Sequence, residues 1–155
     1  MKIKEIMQKK VITASIDTHL SEILTLMAKN KIKFVVVENE GYPVGVINDY
    51  DLILLFEKGI TFSTDVYKVM KKYVVTIDED FDISEASDMM GYLQIKHLVV
   101  VDKNGLLKGL ISLSLLASIP ATEDSAFDVF QEISCAKVRK TDNENQNITI
   151  SAYMI

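Results

Sequence analysis

The chain is written twice. The segment from Ile3 to about Leu55 recurs from Val66 to about Ser118. Met7 falls on Met70, 63 positions on, and Lys9, Val11, Thr13, Asp17, Ser21, Glu22, Met27, Ile32 and Lys33 fall on Lys72, Val74, Thr76, Asp80, Ser84, Glu85, Met90, Ile95 and Lys96. One extra residue then enters the second copy at His97, and the offset becomes 64. From there Val35-Val36-Val37 meets Val99-Val100-Val101, Gly41 meets Gly105, and Gly45 meets Gly109. A period of about 60 residues exceeds the usual solenoid units, and two copies do not make an array. A unit of about 60 residues is also marginal on its own, because it buries too little of its surface. Two like halves that need each other predict a pseudo-two-fold pair, with clefts where the halves meet.

Each copy has the same predicted order of elements. A short amphipathic turn opens it, Ile3, Ile6 and Met7 or Val66, Val69 and Met70. A small strand follows, Val11-Ile12-Thr13 or Val74-Val75-Thr76. Leu20, Ile23, Leu24 and Met27 then stand at helical spacing, as do Ile83, Ala86, Met89, Met90 and Leu93. Thr18 and Asp82 have the oxygens expected of N-caps. The runs Phe34 to Val37 and Leu98 to Val101 are continuously apolar, which predicts strands covered on both faces. A turn at Gly41 or Asn104-Gly105 leads to a third strand, Val44 to Ile47 or Leu107 to Ile111. A last helix begins near Asn48 or Ser112. The predicted class is α/β (α+β): two β-α-β-β-α repeats packed sheet to sheet, plus a C-terminal extension. The expected division is 1–60, 61–119 and 120–155, with Lys58 to Asp65 as a linker broken at Gly59.

Composition excludes several classes. With 48% hydrophobic residues the chain can bury a core, yet no apolar run reaches the roughly 18 residues of a membrane span. A net charge of −5 argues against a nucleic-acid surface, which needs clustered Lys and Arg. Lys9-Lys10 and Lys71-Lys72 read as solvated faces. Two histidines far apart, His19 and His97, and one cysteine, Cys135, do not make a metal site. His19 reads as a surface residue, and Met27, Met89 and Met90 as core filler. The lone cysteine and the absence of a signal-like N-terminus point to a cytoplasmic protein. No nucleophile and base, or acid and base pair, stands out, so no enzyme is expected.

The residues with functional content lie at two corners. They are Ile32 to Glu38 with Gly41, then Gly45-Val46-Ile47-Asn48-Asp49-Tyr50-Asp51; and Ile95 to Asp102 with Gly105, then Gly109-Leu110-Ile111-Ser112. In register and at this spacing, the two copies resemble a pair of CBS (cystathionine β-synthase) domains, a Bateman module, over residues 1 to about 118. The resemblance implies a strand-to-helix corner of Gly, two apolar residues, Ser or Thr, two variable residues and Asp, whose Asp grips the ribose of an adenine nucleotide. An ionised carboxylate has acceptors enough for vicinal hydroxyls, and a helix N-terminus favours phosphate.

The resemblance implies a ligand site of Asp51, Asn48 and Ile47, completed by Tyr73, Val74 and Val75 against the adenine and by Lys96 and His97 toward phosphate. A second, weaker cleft would use Val11, Ile12, Lys33, Ile111 and Ser112. The copies depart from the pattern in opposite ways. Asn48 replaces the hydroxyl residue in copy one, whereas copy two keeps Ser112 but has Leu115 for the Asp. Plainer readings stand beside these: Asp51 as an acid favoured by the helix dipole, Asn48 and Ser112 as caps, Lys96 as a strand-edge lysine. His97, read as the inserted residue, has no fixed direction.

The implied function is a regulatory sensor of AMP, ADP or ATP with no required cofactor. It would signal through repeat or dimer geometry, as a homodimer acting on an unidentified regulated protein. The alternatives are an interaction scaffold with degenerate clefts, and a sensor of S-adenosylmethionine or another adenosyl compound. Beyond Pro120 the pattern predicts a helix from Thr122 and a terminal strand from Ile148, able to pair with Ala136 to Arg139 as a hairpin.

Overall fold

A computed structural model describes residues 1–120 and 150–152. The predictions for residues 121–149 and 153–155 lie outside the described residues. After a one-turn helix α1 (Ile3–Ile6), the first repeat forms β1 (Thr13–Ser15), α2 (Leu20–Asn30), β2 (Phe34–Asn39), β3 (Tyr42–Asn48) and α3 (Asp49–Glu57). A 3-10 turn (Val66–Lys68) opens the second, followed by β4 (Tyr73–Asp78), α4 (Ile83–Leu93), β5 (His97–Val101), β6 (Leu107–Ser112) and α5 (Leu113–Ala117). The class is mixed helix and strand in two repeats, as the sequence implies. One sheet has the order β1-β2-β3 and the other β6-β5-β4, extended beside β4 by β7 (Ile150–Ala152). β1 runs parallel to β2 and β4 parallel to β5, each pair joined through a helix.

The local chemistry explains these elements. Leu20, Ile23 and Met27 of α2 are buried, as are Ala86, Met89 and Met90 of α4, so the helical spacing does face a core. Both helices stop on a left-handed residue, Lys31 and Gln94, each at φ 53°. The next amides, Ile32 and Ile95, then donate back to the carbonyls of Met27 and Met90, closing the orphan ends. Val35, Val36 and Val37 are wholly buried, which is why that strand is continuously apolar.

The helix cap and the position of the extra residue differ from the sequence reading. Thr18 does not cap α2: its Oγ1 accepts from the Ser15 amide at 3.1 Å, closing the preceding turn, and His19 takes the N-cap position. Nor does the extra residue enter at His97. Thr13 pairs with Val36 and Thr76 with Val99, so the offset is still 63 inside the strands and His97 takes the place of Phe34. The added residue sits in the turn before Gly105, where it costs no register. A valine run aligns with itself at either offset, so sequence matching could not place it.

The chain divides into two compact units that are not the two sequence repeats. One joins Met1–Lys9 to Val75–Asn104 and to the chain from Lys108 through α5; the other runs from Lys10 to Val74 and includes Gly105–Leu107. Each unit therefore takes its opening segment from the other repeat. Ile3 and Met7 are buried among Ile77, Met90, Leu98, Val100 and Ile111, whereas Val66 and Met70 are buried among Leu20, Ile23, Val35 and Ile47. The same three backbone bonds hold each segment. The amides of Ile3, Lys4 and Ile83 donate to the carbonyls of Phe81, Glu79 and Met1 in one unit; those of Val66, Tyr67 and Leu20 donate to Thr18, Ile16 and Thr64 in the other. The first segment is further pinned by Lys4 to Asp80 at 2.7 Å and Lys2 to Asp82 at 3.4 Å.

Candidate functional site

Among the described residues, each unit has one corner where a strand turns directly into a helix. In the first, β3 ends at Asn48 and α3 begins. The Asn48 Oδ1 accepts from the Asp51 amide at 2.8 Å, and the Asp51 Oδ2 accepts from the Asn48 amide at 3.0 Å. This reciprocal box fixes the Asp51 carboxylate at the helix start, where free N–H groups and the dipole favour negative charge. Neighbouring Asp49 accepts from the Tyr50 amide at 2.9 Å. Ile47, wholly buried, anchors the corner to the core.

The other Asp51 oxygen has a partner that the sequence reading missed. Lys71 Nζ stands 3.1 Å from Asp51 Oδ1, with the acid side chain 14% and the lysine 58% exposed. The backbone explains the placement: the Lys71 amide and carbonyl exchange bonds of 3.0 and 2.9 Å with Val46 in an isolated bridge. Lys71 is thus not simply part of a solvated face. Its neighbour Lys72 lies over the Tyr67 ring at 4.3 Å. A signal was present in the repeats. At the position of Lys71 the other copy has Gln8, and at that of Asp51 it has Leu115, so acid and base differ together.

The second corner repeats the frame without the charges. Ser112 Oγ accepts from the Leu115 amide at 3.1 Å and caps α5. Gln8 and Leu110 exchange two backbone bonds of 3.0 Å, as Lys71 and Val46 do. Ile111 is wholly buried like Ile47. The cap readings of Asn48 and Ser112 are therefore correct. Each corner also donates one backbone bond to a lysine carbonyl: the Asp49 amide to that of Lys33 at 3.0 Å, and the Leu113 amide to that of Lys96 at 2.9 Å.

The remaining candidates distribute by unit. Asp51, Asn48, Ile47, Tyr73 and Val74 belong to the unit of residues 10–74, as do Val11, Ile12 and Lys33. Val75, Lys96, His97, Ile111 and Ser112 belong to the other. Val11 and Ile12 precede β1 rather than forming it. Tyr73 is exposed at the start of β4, and Val74 beside it is buried. The side chains of Lys33 and Lys96 are solvent-facing. His97 is half-buried, and its pKa lies below the ordinary imidazole value because burial disfavours the cation and Lys96 repels it. His19 is on the surface, 3.3 Å from Asp65. Among the described residues no helix is long and apolar enough to cross a membrane.

The model of the CBS domain family matches residues 3–58 and 65–120. The CBS domain-containing protein YhcV of Bacillus subtilis is 29% identical over 133 residues, covering 85% of this chain and 94% of that protein. Among solved structures, the CBS domain protein PAE2072 from Pyrobaculum aerophilum, complexed with AMP, superposes with a TM-score of 0.73 at 21% identity, covering 88% of this chain and all of that one. The CBS domain pair of MJ0100, in complex with 5′-methylthioadenosine and S-adenosyl-L-methionine, superposes with a TM-score of 0.68 at 22% identity, covering 76% and 93%. With two matched copies, a repeated strand-to-helix corner and this fold, the chain belongs to the CBS domain family as a tandem pair of CBS domains.

Proposed function

We propose that this CBS pair is a regulatory module that binds one adenine nucleotide, AMP, ADP or ATP, with its ribose gripped by Asp51. The single observation behind the reading is the Asn48–Asp51 box. It holds a carboxylate at a helix start with acceptor capacity left over for two hydroxyls. The AMP complex of the Pyrobaculum aerophilum protein and the 5′-methylthioadenosine and S-adenosyl-L-methionine complex of MJ0100 support an adenosyl ligand in this fold. Leu115 has no acceptor for a ribose, so the Ser112 corner is assigned no equivalent site. In this reading Tyr73, Val74 and Val75 flank the adenine, and Lys96 and His97 serve the phosphate end. Ligand occupancy is read by a regulated protein through the geometry of a homodimer.

Calorimetry on Asp51→Asn tests the grip, because asparagine keeps an oxygen for the Asn48 amide but replaces the charged acceptor. Hydrogen bonds to a charged group contribute about 1.5–3 kcal/mol, so affinity for AMP falls by roughly 10- to 100-fold. Unchanged affinity in a normally folded variant refutes the assignment.

A further inference from the structure

We propose that Lys71 sets the charge preference of the Asp51 site, so that an anionic adenosyl ligand is accepted in preference to a cationic one. The inference rests on the ribose reading of Asp51. Without Lys71 the first turn of α3 presents two carboxylates, Asp49 and Asp51, and no cation on the same turn. A ligand anchored there by its ribose has its 5′ substituent within a few ångströms of that charge. Lys71, 3.1 Å from Asp51 Oδ1, cancels one of the two charges where the sugar would sit. It does so without closing the grip. Of the roughly four lone-pair positions of a carboxylate, Asn48 and Lys71 use one each, on different oxygens, and two remain for a vicinal diol.

The repeats supply independent support. The backbone bridge that places Lys71 on Val46 is reproduced at Gln8 and Leu110, so both corners retain the scaffold. At these corners acid and base differ together: Lys71 and Asp51 stand in one copy, and Gln8 and Leu115 at the matching positions of the other. A lysine kept only for the backbone bridge would have no reason to vanish where the carboxylate vanishes. With its lysine 58% exposed, the pair adds only modestly to stability by itself.

The test is calorimetry of the full chain with AMP, adenosine and S-adenosylmethionine, using Lys71→Gln, which copies the other corner, and Lys71→Arg. Melting of the unliganded variants controls for folding. In Lys71→Gln, AMP weakens by roughly 3- to 10-fold, the scale of a partly screened charge pair. Adenosine stays within about twofold on the same basis, because it has no charge to sense. S-adenosylmethionine holds or tightens, and Lys71→Arg restores the wild-type order. Equal changes for all three ligands, or none, overturn the role of Lys71 while leaving the ribose site standing. If the wild-type chain binds none of the three, the ribose reading falls and this inference with it.

Discussion

Two buried methionines show how little slack single residues have in this fold. A Cβ placed on Gly45 would fall onto the Sδ, Cε and Cγ of Met70, and one on Gly109 would fall onto Met7 and within 3.0 Å of the Gln8 carbonyl. The glycines are there so that the opening segment of each unit can lie flat on its strand. Gly45→Ala is therefore an overpacking change, with an expected loss of about 1–3 kcal/mol. Met70→Ala in that background costs less than in the wild type, and a double-mutant cycle in denaturant measures the coupling. Strict additivity refutes the contact.

His97 gives a second prediction at this scale. Its pKa is depressed by burial first and by Lys96 second, so the folded state prefers the neutral ring. Stability from this preference is present above the ordinary imidazole value of 6.5 and is lost as pH falls through the depressed folded value. Asp80, held low by its hydrogen bond to Lys4, and Asp17, held low by Ser15, follow the same sign, but their loss begins only near 3.8. Melting temperatures between pH 5 and 7.5 thus fall toward the acid side, and His97→Phe, which restores the residue of the equivalent position Phe34, flattens the curve. A variant that keeps the full slope places the titrating group elsewhere.

Among the elements, α3 departs most from what an amphipathic helix requires. Leu52 is buried, yet Tyr50, Ile53 and Phe56 are each more than 60% exposed at successive turns, and Phe62 stacks on Phe56 with ring centroids 5.5 Å apart. Exposed apolar groups in a row ask for a cover. The proposed homodimer gives them one, with a second copy as occupant. Phe56→Glu, at a position whose side chain holds up no core, leaves the fold intact and shifts the sedimenting species from dimer to monomer. A dimer unaffected by the change moves the interface off α3. The elements were the most legible level of the sequence. Helical spacing at Leu20, Ile23 and Met27, the valine runs and the corners at Asn48 and Ser112 all correspond to what is observed, because each rests on neighbours within a few residues. The Lys71–Asp51 pair was not legible. It joins positions 20 apart through a two-residue bridge, and a Lys-Lys doublet reads as solvent whether or not one of the two turns inward.

For the whole molecule, internal similarity identified the family and the class of fold but left open which segment completes which core. A duplicated sequence has the same periodicity whether an opening segment packs on its own repeat or on the other, so no pattern of apolar residues distinguishes the two. The structure takes the second course, and its consequence is measurable. Removing residues 1–9 takes Ile3 and Met7 from the core built by Ile77, Met90 and Leu98, which lie in the other half of the sequence. Hydrogen exchange of the truncated chain should accelerate in β4 to β6 while β1 to β3 retain their protection. Acceleration confined to the first repeat refutes the exchange.

That arrangement also has a consequence for the order in which the protein is made. Most of the unit of residues 10–74 is complete once about half of the chain has left the ribosome. Residues 1–9 belong instead to a core that, among the described residues, extends to Leu116. At translation rates of about 5–20 residues per second, Ile3 and Met7 wait roughly 5–20 s for their partners. During that interval the growing chain carries two apolar side chains, Ile3 and Met7, whose core has not yet been made.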